Sequence, residues 1–167
     1  MVLTLLLGCQ NNTNTIVQEG FVEPDPTQWV EYSKPVREYM YYRTQAVVDN
    51  EINVLWNRYP ALKEQVDNQK GINVEKFEVD SINEGFKLID ANFDMESYEP
   101  IKVDVKSEDE VVVLVHGSIV YVRDDFEESG GEYLIELNLQ RTDSQWTVVK
   151  TDEYTLSEYK EWMKEKK

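Results

Sequence analysis

The sequence predicts an α+β fold, in which helices pack on a curved antiparallel sheet. Apolar residues recur every three or four positions over Trp29 to Leu62, as on one face of a helix, and alternate with polar residues after Pro100. The connections between the alternating runs are short. They predict antiparallel pairing, because parallel strands need crossovers of a dozen or more residues. With 167 residues, of which 41% are hydrophobic, the chain can build one compact core.

The helical part begins with a long helix that has one apolar face. Ser33, ahead of Pro35, is its predicted start, and Tyr59-Pro60 ends it or bends it into a short second helix. The segment from Ile72 to Ala91 contains both alternating and helical spacings, so its structure stays open at this point.

The second half of the chain predicts four strands and a last short helix. The strand-like runs are Ile101 to Val105, Glu110 to Arg123, Glu132 to Arg141 and Gln145 to Tyr154. The acidic joint Asp124 to Glu132 is predicted to be a solvated hairpin loop. Thr155-Leu-Ser-Glu158 resembles a capping box and predicts a helix from Glu158 to Lys166.

The strand Glu110 to Arg123 is apolar on both faces, which predicts a central position in the sheet. Its second face is then covered by another element or by a second copy of the chain. The predicted interface of such a homodimer consists of Val112, Leu114, Val120 and Val122.

The N-terminus carries a short apolar run that ends at the single cysteine of the chain. Leu6-Leu7-Gly8-Cys9 resembles the lipobox of bacterial lipoprotein signal peptides, whose cysteine is acylated. The predicted organisation is a signal remnant (1–8), a lipidated Cys9 with a flexible tether (9–27), and one folded domain (28–167). Lipid chains on one cysteine would hold the domain at a membrane surface without spanning the membrane.

Composition argues against several classes of function. Thirty-three acidic residues against 17 basic ones give a net charge of −16, which disfavours binding to nucleic acid phosphates. One cysteine and one histidine provide neither a disulfide nor a zinc site. Asp90 to Glu96 alternates oxygen ligands but has Met95 where a calcium loop needs glycine. We therefore expect no metal and no cofactor.

The order of elements resembles the NTF2-like (cystatin-like) superfamily over roughly Gln28 to Lys167. A long helix, a short second helix and an antiparallel meander ending in Trp146 to Thr155 carry the resemblance. More narrowly, Tyr59-Pro-Ala-Leu62 and Val149 to Trp162 look like the extracytoplasmic domain of the teicoplanin-resistance-associated membrane proteins of Gram-positive bacteria. The resemblance implies a cone between helices and sheet and a place in the cell envelope, and it brings no catalytic motif.

These observations favour a lipid-anchored, extracytoplasmic binding module without catalytic activity. Its expected partners are the membrane, through the lipid, and an envelope component or a protein. The N-terminal aromatic residues exceed what one apolar stripe needs, and those predicted to contact a ligand are Trp29, Tyr32 and Tyr42.

The alternative is an NTF2-like enzyme. His116 is the only side chain whose ordinary pKa lies near neutrality, so it could exchange protons with a carboxylate inside the cone. The candidate partners are Asp104, Glu136 and Asp152.

Overall fold

The computed structural model describes residues 20–67, 71–95, 101–154 and 157. The helices are α1 (Pro26–Val48), α2 (Asn53–Arg58), a 3₁₀ helix (Pro60–Glu64) and α3 (Val74–Ile82). The strands are β1 (Leu88–Met95), β2 (Lys102–Ser107), β3 (Glu110–Arg123), β4 (Glu128–Thr142) and β5 (Gln145–Glu153). Helices pack on one face of an antiparallel sheet, which confirms the predicted α+β fold. The predicted C-terminal helix Glu158–Lys166 lies outside the described residues.

Helix α1 begins with a capping box. The Asp25 carboxylate accepts hydrogen bonds of 2.8 and 2.9 Å from N–H groups of the first turn, and Oε1 of Gln28 accepts one of 3.1 Å from the N–H of Asp25. Pro26 occupies the first turn, where its missing N–H costs nothing. The predicted start at Ser33 is wrong because this cap allows the helix to begin earlier, with Pro35 buried inside it.

The predicted long helix, which was to start at Ser33 and to end or bend at Tyr59-Pro60, is three helical segments. Helix α1 ends at Val48, and Asn50 then adopts a left-handed backbone conformation (φ 52°), which asparagine tolerates better than most residues. The Glu51 carboxylate accepts a hydrogen bond of 3.1 Å from the N–H of Asn53, where α2 starts. The apolar spacing continues through this turn, so the sequence pattern does not reveal the break.

The ambiguous segment contains a helix and then a strand. Asn73 caps α3 by accepting a hydrogen bond of 2.9 Å from the N–H of Lys76. Its amide also donates to the carbonyls of Leu62 (2.8 Å) and Gln65 (2.9 Å), which fastens α3 to the 3₁₀ helix. Strand β1 follows from Leu88 and is the strand that the sequence did not predict.

Strand β3 is the centre of the sheet, as predicted. The strand order is β1-β3-β4-β5. On the same side of β3, β1 pairs with its C-terminal half and β2 with its N-terminal half. The turn between β4 and β5 has two residues with positive φ, Asp143 (50°) and Ser144 (65°). A two-residue turn of this kind matches the twist of the adjoining strands.

Strand β4 begins inside the segment that was predicted to be an acidic loop. Gly130 makes this possible, because a Cβ at that residue would lie 2.0 Å from the carbonyl oxygen of Ile119 on β3. Its φ of 140° is also one that residues with side chains rarely adopt. The loop is therefore shorter than predicted, and Glu128 to Glu132 belong to the strand.

The core lies between the helices and one face of the sheet, called here the inner face. Helix α1 contributes Val36, Tyr39, Met40 and Val47, which are fully buried. Residues of the inner face that belong to the same cluster include Val103, Val111, Val113, Val115, Ile135, Leu137 and Leu139. The other residues of β3, such as Val112 and Leu114, point to the opposite or outer face.

Each edge of the sheet is covered at one position. At β2, Val22 and Val103 exchange two backbone hydrogen bonds of 2.9 and 2.8 Å. At β5, the side-chain amide of Gln65 donates to the carbonyl of Thr151 and accepts from its N–H (3.0 Å). The bridge at Val22 means that the folded part begins before Gln28, inside the predicted tether.

Candidate functional site

A cluster of polar side chains, each buried or half-buried, lies between α1, α3 and the inner face. The members of this inner cluster are Tyr39, Arg43, Glu75, Glu78, Tyr121, Thr151 and Glu153. Nε of Arg43 donates to Glu78 (2.6 Å), and Nη1 contacts the carboxylate of Glu153. The guanidinium thus joins a carboxylate of α3 to one of β5.

The remaining carboxylate of the cluster is held by hydroxyl groups. Tyr39 (3.2 Å) and Thr151 (2.5 Å) both donate to Oε1 of Glu75, which is 3% exposed. Tyr121 donates to Glu78 over 2.8 Å. The polar groups of the cluster therefore bind one another, as buried polar groups must.

Burial governs the electrostatics of the inner cluster. It raises the pKa of Glu153, although the charge of Arg43 opposes the shift. Burial also disfavours the charge of Arg43, but Glu153 and Glu78 together hold the pKa of its guanidinium well above the ordinary range. Burial raises the pKa values of Tyr39 and Tyr121 as well, so both phenols act as hydrogen-bond donors.

An open groove runs along the solvent side of α1, where this helix passes the turn between β4 and β5. Its volume is about 650 Å³, which is within the range of small-ligand sites. Helix α1 contributes Val30, Glu31, Lys34, Pro35 and Glu38, and the other wall consists of Arg58, Ser144, Gln145 and Trp146.

Trp146 is fixed in the wall of the groove by three contacts. Its indole N–H donates to Glu31 over 2.6 Å, and its ring meets the ring of Tyr32 edge-on at 5.5 Å. The guanidinium of Arg141 lies 5.0 Å from the ring centre. These contacts preorganise the indole, which reduces the entropy lost when a ligand binds.

The groove combines an apolar wall with charged groups. Val30 is 66% exposed beside Trp146. Glu31 is engaged by the indole, and Glu38 pairs with Arg58 over 2.7 Å. Lys34 lies on the same face of α1 and also lines the groove, so it adds a cationic side chain there. The groove can therefore accept an apolar group next to an anion.

The predicted acid–base residues lie on the outer face of the sheet. The strand register pairs Asp104 with Val112, Leu114 with Glu136, and Glu136 with Asp152. Asp104, Glu136 and Asp152 therefore lie with His116 on the outer face of the sheet, which points away from the helices. Their predicted location inside the cone is therefore wrong. Nε2 of His116 lies 4.0 Å from Glu132, which the sequence did not single out.

Comparisons with known proteins identify the fold. No family model matches the sequence, and no curated protein is similar to it. Among solved structures, Aln2 from a Streptomyces species matches with a TM-score of 0.54 and 8% identity, over 83% of this chain and 98% of that one. An NTF2-like superfamily protein from Salmonella enterica matches with 0.50 and 10%, over 77% and 92%. This chain has the NTF2-like fold.

A protein from Catenulispora acidiphila has the same arrangement, with a TM-score of 0.51 and 12% identity over 77% of this chain and 93% of that one. Structural matches at identities this low show the fold alone and carry no activity with it. In this fold the inner face of the sheet contains the inner cluster, whereas the groove lies outside that cluster.

The predicted contact aromatics are less exposed than expected. Tyr32 is only 6% exposed, because its ring packs against Trp146 in the wall of the groove. Trp29 is partly buried against the core. Tyr42 is also partly buried, with its ring edge-on to the rings of Tyr41 and Tyr59.

Two further predictions concern the N-terminus and metals. Cys9, the predicted lipidation site, lies outside the described residues. Within the described ranges, no helix is long and apolar enough to cross a membrane. The same part of the chain contains no group of three or more His, Cys, Asp or Glu side chains that could hold a metal ion.

Sequence reasoning missed the inner cluster and Lys34. Arg43 could have been found, because it follows Val36, Tyr39 and Met40 at helical spacing and so occupies a core-facing position. Glu75 and Glu78 gave no such signal, since the period of their segment was ambiguous. The groove forms where the turn between β4 and β5, which is distant in sequence, lies beside α1. No local sequence pattern predicts such a contact.

Proposed function

We propose that this NTF2-like protein is a non-catalytic binding module of a Gram-positive cell envelope, held outside the membrane by lipid on Cys9. The observation that carries the binding role is the groove along α1, with its fixed indole, exposed Val30 and the ammonium of Lys34. Its size and mixed lining suit recognition of a protein segment or envelope component.

The inner cluster supports a structural rather than a catalytic role for the concave side. Its arginine and carboxylates bind each other and neighbouring hydroxyl groups, so they stabilise the junction of α1, α3 and β5. Raised pKa values keep the phenols of Tyr39 and Tyr121 protonated near neutrality and make them weaker acids than ordinary tyrosines. His116, on the outer face, does not join this cluster.

The lining of the groove indicates the chemistry of the ligand. An apolar side chain of the partner would lie against Val30 and Trp146, and a carboxylate or another anion would pair with Lys34. The polar side chains of Ser144 and Gln145 can bond to a peptide backbone. We therefore expect a segment that carries an apolar and an anionic group close together.

The lipid anchor is tested by expressing the protein and its Cys9→Ser variant from the native locus. We expect membrane association and a diacylglycerol mass on Cys9 in the parent, and release or lack of processing in the variant. A parent that stays soluble inside the cell with Met1 retained would refute the anchor.

The groove is tested by photo-crosslinking on intact cells. A benzoylphenylalanine replaces Val30 in the groove or, as a matched control, Phe126, which is 81% exposed on the β3–β4 turn. We expect one species that crosslinks from position 30, is absent from position 126, and is lost on Lys34→Glu. Equal labelling from both positions, or labelling that survives Lys34→Glu, would count against the groove.

A further inference from the structure

Three residues of α1 divide the groove into steps of equal length. Val30, Lys34 and Glu38 all line the groove and follow one another at intervals of four residues. At roughly 1.5 Å of rise per residue, each interval is about 6 Å along the helix axis. The groove therefore presents these lining groups in a row, with a regular spacing that a ligand can match.

The row runs from an apolar end to a charged end. Val30 lies at the end where Trp146 contacts α1. Arg58 stands at the other end, where it pairs with Glu38. Lys34 lies between the two ends. Along the groove, a ligand therefore meets an apolar surface, then an ammonium group and then a guanidinium group.

Lys34 is an unpaired cation in a strongly acidic protein. Within the described ranges it takes part in no ion pair, although the chain has 33 acidic residues against 17 basic ones. An anion that binds at Lys34 gains a charge partner without displacing another one. This position is therefore suited to a carboxylate that comes from outside the chain.

Arg58 holds its carboxylate in a geometry that a second carboxylate could improve. Both Nε and Nη2 of Arg58 contact the same oxygen of Glu38, Oε1, at 2.7 Å. A guanidinium binds more specifically and strongly when its N–H groups meet two carboxylate oxygens in parallel. The pair is also exposed, at 35% and 34%, so its opening costs little. A ligand carboxylate can therefore take the place of Glu38.

An extended peptide has nearly the same spacing as this row. Side chains on one side of an extended chain recur every two residues, which is about 6.6 Å. Two such steps reach about 13 Å, against about 12 Å from Val30 to Glu38 along the axis of α1. When an apolar side chain lies at Val30, the side chains two and four residues away thus come to Lys34 and Arg58.

We propose that the groove binds an extended acidic segment of a partner protein, in which an apolar side chain has carboxylates two and four residues away. The apolar side chain lies on Val30 and Trp146, and the nearer carboxylate pairs with Lys34. The farther carboxylate binds Arg58 and displaces Glu38, which acts as an internal competitor. This inference rests on the binding role proposed above for the groove and adds the sequence pattern of the partner.

Two labelled peptides test the proposal on the full chain by fluorescence anisotropy. The acidic peptide has leucine at its centre and glutamate two and four residues away on both sides, so that it fits in either chain direction. In the control peptide the two outer glutamates are replaced by glutamine. Arg58→Gln should weaken binding of the acidic peptide about fivefold, the upper range for an exposed ion pair, and leave binding of the control peptide unchanged.

Removal of the internal competitor should have the opposite effect. Glu38→Gln should strengthen binding of the acidic peptide about fivefold, because Arg58 is then free to receive it. The matched control Glu84→Gln removes the same charge from an exposed residue just beyond α3 and should leave the affinity nearly unchanged. Equal gains in both variants would reduce the effect to general charge repulsion and overturn the proposed displacement.

The outcomes separate this inference from the function on which it rests. Binding that Lys34→Glu weakens, but that is the same in the parent, Arg58→Gln and Glu38→Gln, would overturn the inference alone. Binding that Lys34→Glu does not weaken would overturn the binding role of the groove as well. An acidic peptide that does not bind the parent also overturns the proposed pattern, and crosslinking from position 30 then still decides the role of the groove.

Discussion

Arg43 lies between the carboxylates of two elements and is itself almost fully buried. Its side chain is 4% exposed and binds Glu78 and Glu153. An isolated buried charge is costly, so the arginine and its carboxylates depend on each other. Arg58 offers a contrast, since it pairs with Glu38 at 35% and 34% side-chain exposure.

Replacement of Arg43 by methionine leaves those two carboxylates without their cation. We expect a loss of about 3–5 kcal/mol in the free energy of unfolding, measured by urea denaturation. The matched change Arg58→Met breaks an exposed pair and should cost at most about 1 kcal/mol. Similar losses for both variants would show that the inner cluster is not the stabilising junction proposed above.

Glu153 makes stability depend on pH. Because burial raises its pKa, the folded chain binds this proton more tightly than the unfolded chain. The stabilisation is fully present below the ordinary value of 4.5 and is lost as the pH rises through the raised, folded-state pKa. Relative to the parent, Glu153→Gln should therefore gain stability from pH 4.5 towards neutrality, measured by urea denaturation at each pH. A difference that does not change with pH would contradict this assignment.

At the scale of elements, the second half of the chain was easier to predict than the first. The alternation that marks β2 to β5 follows directly from the pleat, which sends successive side chains to opposite faces. Strand β1 escaped prediction because its segment mixes two periods. The turn at Asn50 escaped because the apolar spacing continues beyond it. Within the inner cluster, only Arg43 could have been predicted to face the core, from its helical spacing after Val36 and Met40.

The edge of β5 shows how one side chain can act as a strand partner. Gln65 bonds both the N–H and the carbonyl of Thr151, as a neighbouring strand would. Gln65→Ala should cost about 1–3 kcal/mol, since it leaves both backbone groups unpaired, and should accelerate hydrogen exchange at the Thr151 amide. Gln140→Ala, at an exposed position of β4, is the matched control. Equal exchange rates in both variants would argue against this role.

At the scale of the whole molecule, the large net negative charge opposes folding. A net charge of −16 on 167 residues makes the folded chain repel itself, because compaction brings like charges closer. The ion pairs of Arg43 are sheltered from salt by burial, whereas this general repulsion is not.

Added sodium chloride should therefore stabilise the fold. Raising the ionic strength from roughly 0.01 to 0.1 M shortens the screening length from about 30 to about 10 Å. We expect the urea midpoint to rise over this range. Sodium chloride that leaves the midpoint unchanged or lowers it would mean that exposed ion pairs outweigh the repulsion.

The bridge between Val22 and Val103 gives the domain a mechanical property. Tension applied to the chain before residue 20 meets these two hydrogen bonds before it reaches α1. The load thus passes into β2 and, through its pairing, into β3, while the cap at Asp25 stays out of the load path. A domain tethered by its N-terminus would in this way resist pulling with its sheet and keep the groove along α1 undistorted.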